Sequence, residues 1–129
     1  MFVPHMNDTG AVQPCEYYAA AAGTYKLGQL LKMEGGKLTA VTEASTKTVP
    51  YLCMGNKTVA DGEILPVVRV SRNEIYETQL TADAAEAKPG SMLQISAGGE
   101  GVDAGATGTF EITAMEGTGK DAFVLGRFQ

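Results

Sequence analysis

Few residues with the capacity for chemistry occur in this chain, and they are dispersed. The single histidine, His5, lies in a segment of Pro, Asn, Asp and Gly without periodicity, where a triad base would have no ordered pocket. The two cysteines, Cys15 and Cys53, are 38 residues apart, and no short Cys/His spacing indicates a metal site. We predict two free thiols, with Cys53 in an apolar core strand.

Two Gly-rich segments match ligand-binding loops only in part. Gly117–Lys120 fails the phosphate-loop pattern, because Ala114 stands where the first glycine is needed and Asp121 follows the lysine. Segment 99–105 contains two acidic residues but lacks the alternating Asp/Asn ladder of a calcium loop. We interpret both segments as turns or loops, and predict neither a cofactor nor a metal.

The sequence also offers no clear pair of carboxylates of the kind that glycoside hydrolysis requires. Glu74, Glu77 and Asp61 are the nearest candidates, but Glu74 and Glu77 are an odd number of residues apart, so a strand points them to opposite faces. The chain has no Trp, which is the usual stacking platform for sugars. The sequence therefore predicts a protein that is not an enzyme and has no small-molecule substrate.

Composition narrows the class of partner. The chain has 129 residues, a length typical of one domain, and a net charge of −5 with ten scattered basic residues, so we expect no nucleic-acid binding. No apolar run approaches the roughly 20 residues that span a bilayer, and the first residues do not resemble a secretory signal. We expect the protein to lie in the cytoplasm, or in a particle assembled there.

Hydrophobic alternation and glycine-rich turns every 8–12 residues predict a mainly β fold, a small antiparallel barrel or sandwich of about eight strands. The pairs Gly35–Gly36 and Gly98–Gly99 each follow an apolar run, and both predict hairpin turns. Glu43–Thr48 is polar and predicts a loop. Two segments favour short helical turns: 15–23, where an extended segment is a slightly weaker alternative, and 81–88.

This pattern divides the chain into an arm and one β domain. Residues 1–23 predict a flexible N-terminal arm. Residues 24–129 predict a single β domain of two hairpin-containing units, 24–80 and 89–129, joined by the connector 81–88. We interpret the five tyrosines as core or subunit-interface aromatics.

Several stretches together resemble a known family. The run Glu16–Thr39 (EYYAAAAGTYKLGQLLKMEGGKLT) resembles the opening of small head proteins of tailed phages and prophages of Gram-positive bacteria. Similar stretches follow at Val49–Met54, Leu65–Val70, Ile75–Thr78, and in the C-terminal segments 89–96 and 108–113. The likeness covers most of residues 16–128 and consists of Gly, Tyr and apolar positions. Such proteins are capsid decoration (cement) proteins.

The resemblance implies a small β-rich structural protein of the virion. It would be assembled in the bacterial cytoplasm and would dock on the capsid exterior, stabilising the shell by bridging major capsid proteins. Such proteins often form homotrimers. The resemblance transfers no functional residues. From the sequence we expect contacts to the capsid or between subunits from six aromatic residues: Tyr17, Tyr18, Tyr51, Tyr76, Phe123 and Phe128.

We also expect residues 1–23 to supply part of the capsid contact. Two alternatives stay open on the sequence: a carbohydrate- or ligand-binding β module, and a minor head or tail completion protein.

Overall fold

The fold is mainly β, as predicted. The computed structural model describes residues 1–8, 10, 14–41, 51–105 and 108–129. The described residues form thirteen strands and no helix. The strands are β1 Val3–Asn7, β2 Glu16–Ala19, β3 Gly23–Tyr25, β4 Leu30–Glu34, β5 Lys37–Ala40, β6 Tyr51–Cys53, β7 Lys57–Val59, β8 Ile64–Arg69, β9 Glu74–Gln79, β10 Met92–Ile95, β11 Val102–Asp103, β12 Phe110–Met115 and β13 Phe123–Phe128.

The strands form sheets of six, five and two strands, in the orders β1-β9-β13-β12-β10-β11, β2-β8-β6-β4-β5 and β3-β7. All paired strands are antiparallel, and each sheet ends in two edge strands, so the arrangement is an open sandwich and not a closed barrel. The strand count exceeds the expected eight because several strands have only two to four residues. Among the described residues, no helix is long and apolar enough to cross a membrane.

The six-stranded sheet buries one face against the five-stranded sheet. In β9 the residues alternate between buried and half-buried, which is the pattern of a strand with one core face. From the other sheet, Leu30, Leu52 and Val70 complete this core. Four aromatic rings pack near its centre in edge-to-face or tilted pairs, with centroids 5.2–5.9 Å apart. The rings belong to Phe2, Tyr76, Phe110 and Phe128.

The five-stranded sheet encloses a second core on its other face. Glycine pair 35–36 closes the β4–β5 hairpin as predicted, with φ values of 58° and 78° that L side chains rarely adopt. A single parallel bridge joins Ala20, just after edge strand β2, to Leu38 of edge strand β5, so the sheet curls around this core. The second core includes Leu31, Leu38, Cys53, Leu65 and Val67.

The prediction of a flexible arm over residues 1–23 is wrong for the described residues. Phe2 is 1% exposed in the main core, β1 pairs with β9, and β2 pairs with β8. Both strands depend on partners 45 or more residues away in sequence, so local composition gave no sign of them. The 15–23 segment adopts the extended alternative, with Glu16–Ala19 as a strand.

The sheets also divide the chain differently from the predicted units. β9 lies within the unit predicted at 24–80, yet it pairs with β1 and β13 of the six-stranded sheet. The connector 81–88 contains turns and no helix, and buries Ala84 in the main core. The predicted loop Glu43–Thr48 lies outside the described residues.

Candidate functional site

The solvent-facing side of the six-stranded sheet carries apolar side chains in rows across its strands. Register places Val3, Glu77, Leu125 and Ala114 side by side on β1, β9, β13 and β12. Directly opposed residues share a face and interact there. We define the outer face by this row and its neighbours: Val3, Met6, Ile75, Glu77, Gln79, Met92, Glu111, Ala114, Phe123, Leu125 and Arg127.

Several large apolar groups of the outer face are open to solvent. Met6 is 57% exposed and Phe123 is 45% exposed. Scattered single apolar residues are ordinary on a protein surface, whereas a contiguous group of them marks an interaction site. The chain could be bound through this face.

A shallow pocket of about 210 Å³ lies on the outer face and combines apolar walls with two carboxylates. Its lining residues are Glu77, Ala114, Met115, Glu116, Phe123 and Leu125. Glu77 and Glu116 make no ion pair with any described residue. The pocket therefore offers uncompensated negative charge beside apolar surface.

The positive charge on the outer face is already paired. Arg127 donates two hydrogen bonds to the carboxylate of Asp8, at 2.8 and 3.1 Å, and a third to the carbonyl oxygen of Arg72 at 3.3 Å. The hydrogen bonds from Arg127 lower the pKa of Asp8. This pair fastens the end of β1 to the sheet.

An apolar groove of about 330 Å³ runs along β1 where the two sheets meet. Met1 and Val3 line one side, and Leu27 and Met54 line the other. All four side chains are more than one-third exposed. Since Val3 belongs to both the groove and the outer face, the two surfaces adjoin at β1.

A further group of side chains, the β2 cluster, lies on β2, β6 and β8 and consists of Glu16, Tyr18, Tyr51 and Arg69. Arg69 makes an ion pair with Glu16 at 3.2 Å, and its guanidinium carbon lies 5.2 Å from the centroid of the Tyr51 ring. The hydroxyl of Tyr18 donates to Glu16 at 2.6 Å, and the Tyr18 and Tyr51 rings are 5.5 Å apart. The hydrogen bond from Arg69 is the largest cause of the lowered pKa of Glu16. These groups satisfy one another and hold edge strand β2 in place.

The six aromatic residues predicted as contacts fall into three groups. Tyr76 and Phe128 lie in the main core at 0% and 2% exposure, so they cannot contact a partner in the folded chain. Tyr18 and Tyr51 are half-buried in the β2 cluster. Tyr17, at 66%, and Phe123 are exposed, but only Phe123 belongs to the outer face.

The candidate catalytic residues do not come together. As predicted, Glu74 and Glu77 lie on opposite faces of β9: Glu74 is buried and accepts a hydrogen bond from the Tyr76 hydroxyl at 2.9 Å. Asp61 pairs with Lys37 at 2.7 Å. Cys53 is a buried core residue as predicted, whereas Cys15 is exposed. Within the described ranges no three His, Cys, Asp or Glu side chains are grouped so as to hold a metal ion.

Sequence reasoning missed the groove and the carboxylates of the pocket. The groove depends on β1, whose pairing with β9 is not visible in local composition. The pocket depends on the pairing of β13 with both β9 and β12, which brings Glu77 close to Glu116. The alternation of Ile75, Glu77 and Gln79 on one side of β9 was the available signal, because it already indicated a solvent-facing side of a half-buried strand. A scan against models of protein families and a search of curated proteins find no match to this chain.

Proposed function

We propose that this chain is a structural protein of a phage virion that docks on the outside of the capsid and stabilises the shell by bridging major capsid proteins. The observation that carries the proposal is the apolar groove along edge strand β1, together with the exposed apolar side chains of the adjoining outer face. Met1, Val3, Leu27 and Met54 lie along the groove, and Met6 and Phe123 lie on the outer face. Contiguous apolar surface of this kind is typical of protein–protein contact sites.

The proposal is also supported by the resemblance of most of residues 16–128 to decoration proteins of tailed phages and prophages. A rigid β scaffold suits such a role, because a bridge transmits load only if its contact surfaces keep a fixed geometry. Here the N-terminal segment contributes as folded strands: β1 and β2 are edges of different sheets, and each is fastened by an arginine–carboxylate pair. The capsid contact expected from residues 1–23 would then come from a preformed surface, at low ordering cost.

The test is quantitative mass spectrometry of purified virions from the strain that encodes the chain, after prophage induction. Decoration predicts a copy number close to that of the major capsid protein. A copy number a hundredfold lower would replace the proposal with a head or tail completion protein. Absence from the particle would overturn the virion assignment, and glycan-array binding would then favour a carbohydrate-binding module.

A second experiment addresses location and stabilisation. Shells prepared without the chain are mixed with purified protein, and bound protein is measured by sedimentation before and after heating. We expect saturable binding and a higher temperature of shell rupture. Binding without any change in rupture temperature would contradict the stabilising role.

A further inference from the structure

Charge is distributed unevenly between the two halves of the chain. Residues 1–70 contain six acidic and six basic residues, whereas residues 71–129 contain nine acidic and four basic residues. The whole net charge of −5 therefore belongs to the part that supplies five of the six strands of the six-stranded sheet. The outer face itself carries Glu77 and Glu111 with one cation, Arg127, and Glu116 lines its pocket. This excess of carboxylates favours a positively charged partner surface.

The same imbalance is visible in the ion pairs. Lys26, Lys32, Lys37 and Lys57 of the first half each lie within 4 Å of a carboxylate, as does Arg69 of the β2 cluster. On the outer face only Arg127 is paired, with Asp8, while Glu77 and Glu116 have no cationic partner among the described residues. The pocket thus holds two carboxylates that a cation from a binding partner would pair with.

The shape of the pocket specifies which cation it suits. An arginine or lysine side chain combines an apolar stem with a charged end, and it commonly lays the stem on apolar surface. Phe123 and Leu125 offer such surface, and Glu77 and Glu116 lie in the same pocket to meet the charge. An aromatic ring beside the stem also favours a guanidinium. A volume of about 210 Å³ is small for a drug-sized ligand but adequate for one side chain.

We infer that the outer face is the docking surface for a basic protein partner, and that the pocket between Glu77, Glu116 and Phe123 takes one arginine or lysine side chain of that partner. The identification of the partner as the major capsid protein rests on the proposed function. The preference of the pocket for a basic side chain does not rest on that function. The experiment below therefore distinguishes failure of the docking inference from failure of the capsid function.

The direct test is an NMR titration of the whole chain with acetyl-Leu-Arg-Leu-amide, with acetyl-Leu-Gln-Leu-amide as the uncharged control peptide. We expect amide shifts at Glu77, Glu116 and Phe123, and a Kd on the order of 1–10 mM for so small a ligand. Glu77→Gln and Glu116→Gln should each weaken binding about three- to fivefold, and Phe123→Ser should weaken it further. Glu86→Gln, the same charge change on the connector and outside the outer face, should have no effect.

Three outcomes would overturn the inference: no shifts up to about 10 mM peptide, equal shifts with the Gln peptide, or the largest shifts at the groove beside Met1 and Leu27. Circular dichroism of each variant confirms that it is folded. Because these substitutions are on the solvent side, we expect stability within about 0.5 kcal/mol of wild type.

The shell-binding assay then identifies the partner. Both proposals stand if wild type binds shells and the Glu77→Gln/Glu116→Gln variant binds them about tenfold more weakly. The difference in affinity between the two proteins should be larger at low salt, where charge pairs are less screened. If the double variant binds shells as well as wild type, the docking inference fails while the capsid function stands. If wild type binds the Arg peptide at this pocket but not the shells, the pocket stands and the capsid function fails.

Discussion

Replacing Phe2 with alanine should destabilise the whole protein, although the residue is second in the chain and lies in a segment whose composition is typical of a loose arm. Its side chain is 1% exposed, with ring centroids 5.9 Å from Phe110 and 5.7 Å from Phe128. Removing the ring opens a cavity in the centre of the main core. The effect is therefore expected on global unfolding and not only on local order.

The magnitude follows from buried area. A buried phenylalanine withdraws roughly 150–250 Å² from water, which at about 25 cal/mol per Å² corresponds to about 4–6 kcal/mol as an upper bound. Alanine retains part of that burial, and measured Phe-to-Ala changes in cores cost about 3–5 kcal/mol. We expect a loss of about 3–4 kcal/mol for Phe2→Ala. With an m-value of about 2 kcal/mol/M, the urea midpoint should fall by about 1.5–2 M.

The assay is urea unfolding followed by circular dichroism, with His5→Ala as the control. His5 is exposed on β1, three residues after Phe2, so its substitution should change stability by less than about 0.5 kcal/mol. Phe2→Leu should lower the free energy of unfolding by about 1–1.5 kcal/mol. Its midpoint can still be measured if Phe2→Ala is already unfolded without urea. An unchanged midpoint for Phe2→Ala would show that residues 1–7 do not pack as described here, and would refute the reasoning.

The remaining predictions concern a turn, a surface charge and the thiols. Gly99→Ala should lower the free energy of unfolding by at least about 2 kcal/mol, because Gly99 has φ +73° and a Cβ there would lie 2.3 Å from a backbone oxygen of β4. Gly35→Ala is the matched control, since Gly35 also has a positive φ but a Cβ there would meet open space. It should lower the free energy of unfolding by about 1 kcal/mol in the same urea assay. The pKa of Asp8 is lowered by its arginine partner, so its stabilisation is fully present above the unfolded pKa of about 3.9 and is lost as pH falls through the folded value. The stability difference between wild type and Asp8→Asn should therefore shrink in acid, and a pH-independent difference would contradict the pairing. A thiol reagent should modify exposed Cys15 in the native protein and buried Cys53 only after denaturation, and rapid reaction of two thiols per native chain would argue against the second core.

The β class of the fold and the positions of two glycine turns could be predicted from the sequence. The glycine pairs 35–36 and 98–99 do turn two hairpins, because positive φ is a local property that glycine meets without steric cost. Strand pairing across the sheets was not accessible, since it depends on contacts between distant residues. β1 is the plainest case, as its partner β9 begins at Glu74.

A related limit applies to the site. Exposed and buried tyrosines look alike in sequence, and only register shows that Tyr76 faces the core while Glu77 faces solvent. Pro66 is a position where local chemistry was informative: proline within a strand predicts an edge or a bulge for the first half of the strand. Ile64–Pro66 pairs only with β2, and pairing of β8 with β6 begins at Val67. The carbonyl oxygen of Pro66 accepts a hydrogen bond from the Met54 amide at 3.1 Å, so the sheet uses the acceptor of this residue.

The placement of β1 and β2 as edges of two different sheets has a consequence for synthesis on the ribosome. Val3 pairs with Glu77 and Tyr17 pairs with Pro66, so the earliest strands are made well before their partners. At about 5–20 residues per second, β1 waits roughly 4–15 s for β9 to be translated. During that interval the side chain of Phe2, which is buried in the finished protein, has no native core to cover it. A run of slow codons between residues 8 and 79 would lengthen this exposure, and should lower the soluble yield without changing the stability of the finished protein.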